Sequence, residues 1–330
     1  MKRALSKISP ALKALLGVGI VAWMCAKGKL DPTQLARAFE HWPLMLAILG
    51  LGYCQTAIIS YRWRLLLRAQ EISLNFRRAF GLTMIGQLFN VAIPGSVGGD
   101  LVKGYYITRA AADRKTQAAT SIVMDRYTGM VALFFLGAVM ALANWSETSR
   151  TPATRSLGAI SVMVCVVSMA GLYAALYAGG RLSQWTFLPG FARNAFSALH
   201  EYRRKPSAAP VALALSLLNQ SITCTSYYLA LRSAGAGDIP AAQIFLVAPL
   251  GFAAGALPLS PAGIGVGQAA FFGLFHMVAP AYAAAGTAAV TVFQAMYVLI
   301  CVSGLLWYIP YKHVTLAAAC EPAAPRVGAL

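Results

Sequence analysis

The chain has 330 residues, 58% of them hydrophobic and only 11% charged, where a soluble globular domain carries roughly 25% charged residues; a soluble fold is excluded and an all-α polytopic membrane protein is indicated. The net charge of +17, from 27 Lys and Arg against 10 Asp and Glu, would suggest nucleic acid in a soluble protein, but beside long apolar runs it reads as basic residues retained in cytoplasmic loops and facing anionic lipid. The six cysteines form no C-x-x-C pair and the four histidines lie far apart, so no disulfide framework, metal or other cofactor is expected.

In chain order, residues 1–13 carry four basic residues ahead of an apolar run over 14–26. No clear small-residue cleavage site precedes Lys27, so this run reads as an uncleaved first span rather than a signal peptide. Residues 30–41 are short and partly amphipathic. Residues 42–67 form a second span, with Trp42 at one end and Tyr61 and Trp63 at the other, as an aromatic belt requires. Arg62, Arg64, Arg68, Arg77 and Arg78 follow or close it.

The next stretch is irregular. Residues 79–93 and 101–111 are each too short to cross a bilayer, which takes roughly 20 residues. Between them lie Asn90, Pro94, Gly95, Ser96, Gly98, Gly99, Asp100 and Lys103. Pro94 lacks an N–H and three glycines follow within five residues, so no continuous helix is expected. Irregular backbone at membrane depth survives only inside protein or beside a water-filled cavity. Basic residues on both flanks make this pair a re-entrant hairpin that enters and leaves on the cytoplasmic side.

Residues 116–145 form a long span containing Asp125 and Arg126, and 156–178 form another. Residues 179–206 are the largest polar segment. Arginines alternate there with Trp185, Phe191, Phe196 and Tyr202, which suits a helix on the membrane surface. A span over 211–231 precedes a second short pair, 241–257 and 268–279, around a second break with Pro261, Gly263, Gly265, Gly267 and Gln268. A last span covers 282–308, and the Ala/Pro-rich tail 316–330 is expected to be disordered.

Proposed cytoplasmic segments hold 20 basic residues and proposed outer segments six, which places both termini inside a plasma (bacterial inner) membrane and requires the second hairpin to enter from outside. The expected architecture is therefore about six full spans plus two oppositely oriented broken hairpins. They form an inverted repeat, with a first membrane repeat over 1–145 and a second over 146–315.

Four pieces of sequence in this order resemble the flippase-like family named after the lysylphosphatidylglycerol synthase transmembrane region. They are the Arg-Trp element of residues 61–67, the proline-glycine-glycine-aspartate stretch from Asn90 to Asp100, the pair Asp125-Arg126, and the second glycine motif from Pro261 to Gln268. The synthase's catalytic domain has no counterpart in a chain filled with spans. Two departures stand out: Lys103 stands where the family usually has an arginine, and Gly267-Gln268 replace an arginine-glutamate pair. The resemblance implies movement of a lipid or lipid-linked headgroup between leaflets. Anionic phospholipid, polyprenyl-phosphate sugar and hopanoid-type lipid all remain open as the substrate.

An intramembrane ionisable residue costs roughly 2.5–3.5 kcal/mol at a helix centre on insertion scales, so each is expected to have a partner or a role. Adjacent residues on a helix project about 100° apart, so Asp125 and Arg126 do not both pair inward with each other alone, and Asp100 on the hairpin is one candidate partner for Arg126. That pair either locks hairpin to span or, with Lys103, holds an anionic headgroup. The glycines either turn the chain or aim N–H groups at an anion. No nucleotide loop and no G-x-S-x-G elbow is present, and no catalytic set can be assembled. The alternatives to a translocase are a non-transporting subunit of a lipid-synthesis complex and, ranked lower, a headgroup-modifying enzyme. A second copy of the chain or a lipid-synthesis enzyme is the protein partner left open.

Overall fold

The computed structural model describes residues 32–92, 98–185, 189–256, 260 and 263–311. The expected first span and the C-terminal tail lie outside these residues, as do Pro94, Gly95, Ser96 and Pro261. Among the described residues every regular element is helical. The principal helices are α1 (Pro32–Glu40), α2 (Trp42–Ala69), α3 (Phe76–Ala92), α4 (Gly98–Ala110), α5 (Lys115–Ala143), α6 (Pro152–Tyr177), α7 (Gly190–Glu201), α8 (Ala208–Ser233), α9 (Ala241–Gly255), α10 (Val266–Val278), α11 (Ala283–Ser303) and α12 (Leu305–Tyr311).

Five units among the described residues are long and apolar enough to cross a membrane: α2, α5, α6, α8 and the stretch Pro280–Ile309 containing α11 and most of α12. The helices α3, α4, α9 and α10 have 17, 13, 15 and 13 residues and fall short of a span. α6 starts where the sequence provides a cap: the Thr154 N–H donates to Thr151 Oγ1 at 3.1 Å, with Pro152 in the first turn. The last span, expected over 282–308, covers Pro280–Ile309. It breaks at Gly304, where a Cβ would strike the Met84 carbonyl of α3. Beyond the break α12 leans on α3, with Trp307 edge-on to Phe80 at 5.3 Å between ring centres.

At the centre, α2 and α8 run antiparallel. Met45 and Ile48 share a buried cluster with Tyr227 and Leu231. Further along α2, Gln55 bonds to Thr223, Arg62 bonds to Ser216, and Leu66 and Ala69 pack with Ala208 and Ala212. Residue numbers thus rise on one helix as they fall on the other. α5 and α11 each pack on both α2 and α8.

The short helices pair off and fold back on one another, α3 with α4 and α9 with α10. α3 packs on α2 and α11, and α4 on α5. In the other half α9 packs on α8 and α5, and α10 on α11. Exchanging α2–α5 for α8–α11 carries each of these neighbour relations onto another. It also pairs α1, which rests on α11, with α7, which rests on α5.

α7 is the amphipathic helix expected in the basic segment. Its inner side brings Ala198 and the adjoining Tyr202 into the interior beside α5 and α6, while Arg193, Arg203 and Arg204 stay exposed. Gln70, at the end of α2, donates to the Ala198 carbonyl at 2.7 Å and fixes α7 to the bundle. Two of the counted cations lie inside the bundle. Arg62 lies within α2 and Lys103 within α4, both buried, because each has an acid or an aromatic partner there. Removing both from the count leaves the basic bias intact.

Candidate functional site

The charged residues gather where α2, α4 and α5 meet. Asp125 lies ten residues into α5, about 15 Å along the axis at 1.5 Å per residue, against a hydrocarbon thickness of about 30 Å. Arg62 Nε of α2 donates to Asp125 Oδ1 at 2.8 Å, and both side chains are only 5% exposed. A second guanidinium nitrogen, Nη1, donates to Ser216 Oγ of α8 at 2.6 Å. Arg62 thereby joins three helices, and Gly129 of α5 leaves room for its guanidinium. Such a pair is weak evidence for net stability, but removing one partner leaves a buried charge uncompensated.

The second pair is the expected one, and it differs in exposure. Arg126 Nε donates to Asp100 Oδ2 at 2.7 Å, with the arginine side chain 53% exposed and the aspartate 20%. Lys103 lies between the two pairs. It is buried, its ammonium is 4.1 Å from the ring centre of Trp63, and Asp125 and Asp100 both attract it. Trp63 is held in place by donating to Ser121 Oγ at 3.2 Å. Three cations and two acids give the cluster one net positive charge.

The first hairpin brings Asp100 and Lys103 into position by a close helix crossing. A Cβ on Gly99 would overlap the Gly86 carbonyl, so α4 can approach α3 this closely only without a side chain there. Asn90 closes the tip by accepting the Gly99 N–H at 2.8 Å. The second hairpin uses a related device. Gly263 and Gly265 have φ of +70° and +86°, a left-handed conformation that favours glycine. Gln268 Oε1 accepts the Gly265 N–H at 2.7 Å, and Gln268 Nε2 donates to Gln294 Oε1 of α11 at 2.7 Å. Gly267 lies against Gln294. The expectation that these glycines aim N–H groups at an anion therefore needs correction at Gly99 and Gly265, whose N–H groups are occupied by side-chain amides of the hairpins themselves.

Between the halves lies a cavity of about 290 Å³, bounded by α2, α3, α8, α9, α10 and α11. Its polar lining is neutral: Gln55, Thr56, Gln87, Asn219, Thr223 and Gln294, with Tyr297 at one wall. Tyr297 also neighbours Asn90 and Arg126, so cavity and charged cluster share a wall. Of the expected site residues, the structure gathers Asp100, Lys103, Asp125 and Arg126 into one cluster with Asn90, Gly98 and Gly99 beside it. Gly263, Gly265, Gly267 and Gln268 form the second hairpin, and Gly267 alone of these reaches the cavity.

The profile of the family described as the lysylphosphatidylglycerol synthase TM region matches residues 11–304. The chain belongs to that family. Among curated proteins, a UPF0104 membrane protein of Methanothermobacter thermautotrophicus is 22% identical over 302 residues, covering 83% of this chain and 88% of its own. No solved structure matches the chain. The family match covers both hairpins and the charged cluster.

Sequence reasoning did not assign Arg62, Trp63, Ser216 or Tyr297 to the site. Arg62 closes the expected span over 42–67 and reads, with the four arginines that follow it, as a cytoplasmic cation. The available signal was its place on α2, seven residues before the helix ends. The amide residues Gln87, Asn219 and Gln294 were legible as polar residues in apolar runs, but their convergence was not.

Proposed function

We propose that this protein is a lipid translocase: a membrane lipid, with an anionic headgroup, passes between leaflets along the interface of the two broken hairpins. The observation that carries this reading is the Arg126–Asp100 pair at the tip of the first hairpin, about half-way along the α5 side of the bundle, with the arginine side chain half exposed. A structural lock would be expected to be buried, as Arg62–Asp125 is. An exposed guanidinium at that depth can exchange its carboxylate for a phosphate, to which its planar fork is suited, while buried Lys103 supplies the cluster's remaining positive charge. Arg62–Asp125 holds α2, α5 and α8 together beneath it.

The reading includes an inverted repeat with the hairpins entering from opposite sides, the first from the cytoplasm. Its support is the antiparallel α2–α8 core and the matching neighbours of the two hairpins. Paired broken helices at the contact of two such halves are where transporters bind their cargo. The basic loops, including the outer side of α7, face anionic lipid on the cytoplasmic leaflet.

The test is leaflet exchange of a tail-labelled anionic phospholipid, phosphatidylglycerol, in vesicles containing the purified protein, followed by quenching from outside. Protein-dependent exchange is expected, slowed at least ten-fold by Arg126→Ala. Exchange no faster than in protein-free vesicles would remove the translocase reading.

A further inference from the structure

The cavity differs in chemistry from the charged cluster beside it. Among the described residues, no acidic or basic side chain lines it. Its polar groups are amides and hydroxyls from four helices: Gln55 and Thr56 on α2, Gln87 on α3, Asn219 and Thr223 on α8, and Gln294 on α11. Between them stand the rings of Phe252, Phe271 and Phe293. At about 290 Å³ the space is near the lower end of small-molecule sites, about 300–1,000 Å³. It suits one headgroup and not a whole lipid.

Among the described residues, one polar atom of the lining has no hydrogen-bond partner. Asn219 is 7% exposed, and its Oδ1 accepts no hydrogen bond. A buried amide oxygen without a donor costs free energy, and a cavity wall is where a ligand can supply that donor. Its surroundings show what donor fits. Gln55 Nε2 donates to Thr223 Oγ1 at 2.5 Å, and Gln87 Nε2 donates to Thr56 Oγ1 at 3.2 Å. These are neutral groups able both to give and to accept. A hydroxyl does both as well, whereas an ammonium only donates, carries a charge, and would enter a cavity with no carboxylate to pair with.

We infer that this cavity binds the uncharged, hydroxyl-rich end of a lipid headgroup, a polyol or sugar ring, while the headgroup's phosphate lies toward Arg126. Tyr297 lies between the two positions, lining the cavity and neighbouring Arg126. Aromatic rings give the apolar faces of such a ring a surface, and the amides take its hydroxyls. Amine-bearing headgroups are rejected for want of an acid. The inference rests on the translocase reading for its transport arm and on the cavity alone for its binding arm.

Two tail-labelled lipids with the same chains and the same phosphodiester separate the chemistries: phosphatidylinositol, which ends in a hexol ring, and phosphatidylethanolamine, which ends in an ammonium. Binding to the purified full-length protein in detergent should favour phosphatidylinositol by about five-fold or more, the worth of one or two hydrogen bonds. Asn219→Leu and Gln55→Leu should each erase that preference while leaving the melting temperature within a few degrees, and exchange in vesicles should follow the same order. A conservative Asn219→Gln should retain part of the preference. Equal binding of the two lipids, or a preference unchanged in Asn219→Leu, overturns the inference. Selective binding without any leaflet exchange supports it and removes the translocase reading instead. Exchange of phosphatidylglycerol with no preference for phosphatidylinositol over phosphatidylethanolamine leaves that reading standing and removes the inference.

Discussion

Gln268 donates to Gln294 at 2.7 Å across 26 residues of sequence, and Arg126 donates to Asp100 at 2.7 Å across the same 26. Both Asp100 and Gln268 are the third residue of their helices, α4 and α10, and both Arg126 and Gln294 are the twelfth of theirs, α5 and α11. The two hairpins are thus latched to the following span at equivalent positions, one by an ion pair and the other by a neutral amide pair. The contact beside it changes in the same way: Lys103 faces the Trp63 ring in one half, and Phe271 packs on Tyr227 at 4.6 Å in the other.

If the ion pair served only as a latch, a neutral pair would serve as well, since one does so in the second half. The double variant Asp100→Gln, Arg126→Gln should therefore keep its fold, with a melting temperature within a few degrees of the parent. Under the translocase reading it should lose exchange of tail-labelled phosphatidylglycerol by at least about ten-fold, equivalent to about 1.4 kcal/mol of lost interaction. Retained exchange would reduce Arg126–Asp100 to a latch.

Arg62 and Asp125 should respond in the opposite manner. Both are buried, so Arg62→Met leaves an uncompensated carboxylate and Asp125→Leu an uncompensated guanidinium, each at a cost of about 3–5 kcal/mol. Thermal unfolding in detergent should show both single variants strongly destabilised. The double variant Arg62→Met, Asp125→Leu should be closer to the parent than either. A double variant as damaged as the sum of the singles would mean that the two charges do not depend on each other.

Much of this arrangement was legible in the sequence, and the limits have physical causes. The interruptions between α3 and α4 and between α9 and α10 were readable because Pro and Gly mark where a helix cannot continue. Asp100 was legible as a candidate partner for Arg126 because helix geometry keeps Asp125 and Arg126 from both pairing inward with each other. The partner of Asp125 was not readable, because Arg62 is separated from it by 63 residues and looks like a member of an arginine-rich loop. Hydropathy gives the direction of α2 and α8 but not that they touch, so the cavity between the halves, assembled from six helices, has no local signature. The occupied N–H groups of Gly99 and Gly265 were hidden for a similar reason: Asn90 and Gln268 read as residues within helices, and only the folded hairpins turn their amides onto the glycines.

The hairpins depend on close backbone approach. Gly99→Ala would place a methyl group against the Gly86 carbonyl, and Gly263→Ala would place one against the Gly255 carbonyl while holding alanine at a positive φ. Each should cost about 1–3 kcal/mol, as overpacking and backbone strain do, and lower the yield of folded protein on size-exclusion chromatography. Gly50→Ala and Gly273→Ala meet nothing within 4 Å and sit within helices, where alanine is the better helix former; they should be neutral or slightly stabilising. Equal tolerance at all four positions would contradict the packing of the hairpin tips.

The inverted arrangement that we propose makes a prediction about sidedness. Asp113, between α4 and α5, and Asp238, between α8 and α9, are both exposed. α5 starts beside the exit of the first hairpin and α9 beside the entry of the second. If the hairpins enter from opposite faces, a cysteine at 113 and a cysteine at 238 must lie on opposite sides of the membrane, the first cytoplasmic where basic residues collect. In a background with the native cysteines replaced by serine or alanine, a membrane-impermeant maleimide applied to intact cells should label Asp238→Cys and spare Asp113→Cys. Inside-out vesicles should reverse the pattern. Labelling of both from one side would exclude opposed entry, and with it the inverted arrangement proposed for the two hairpins.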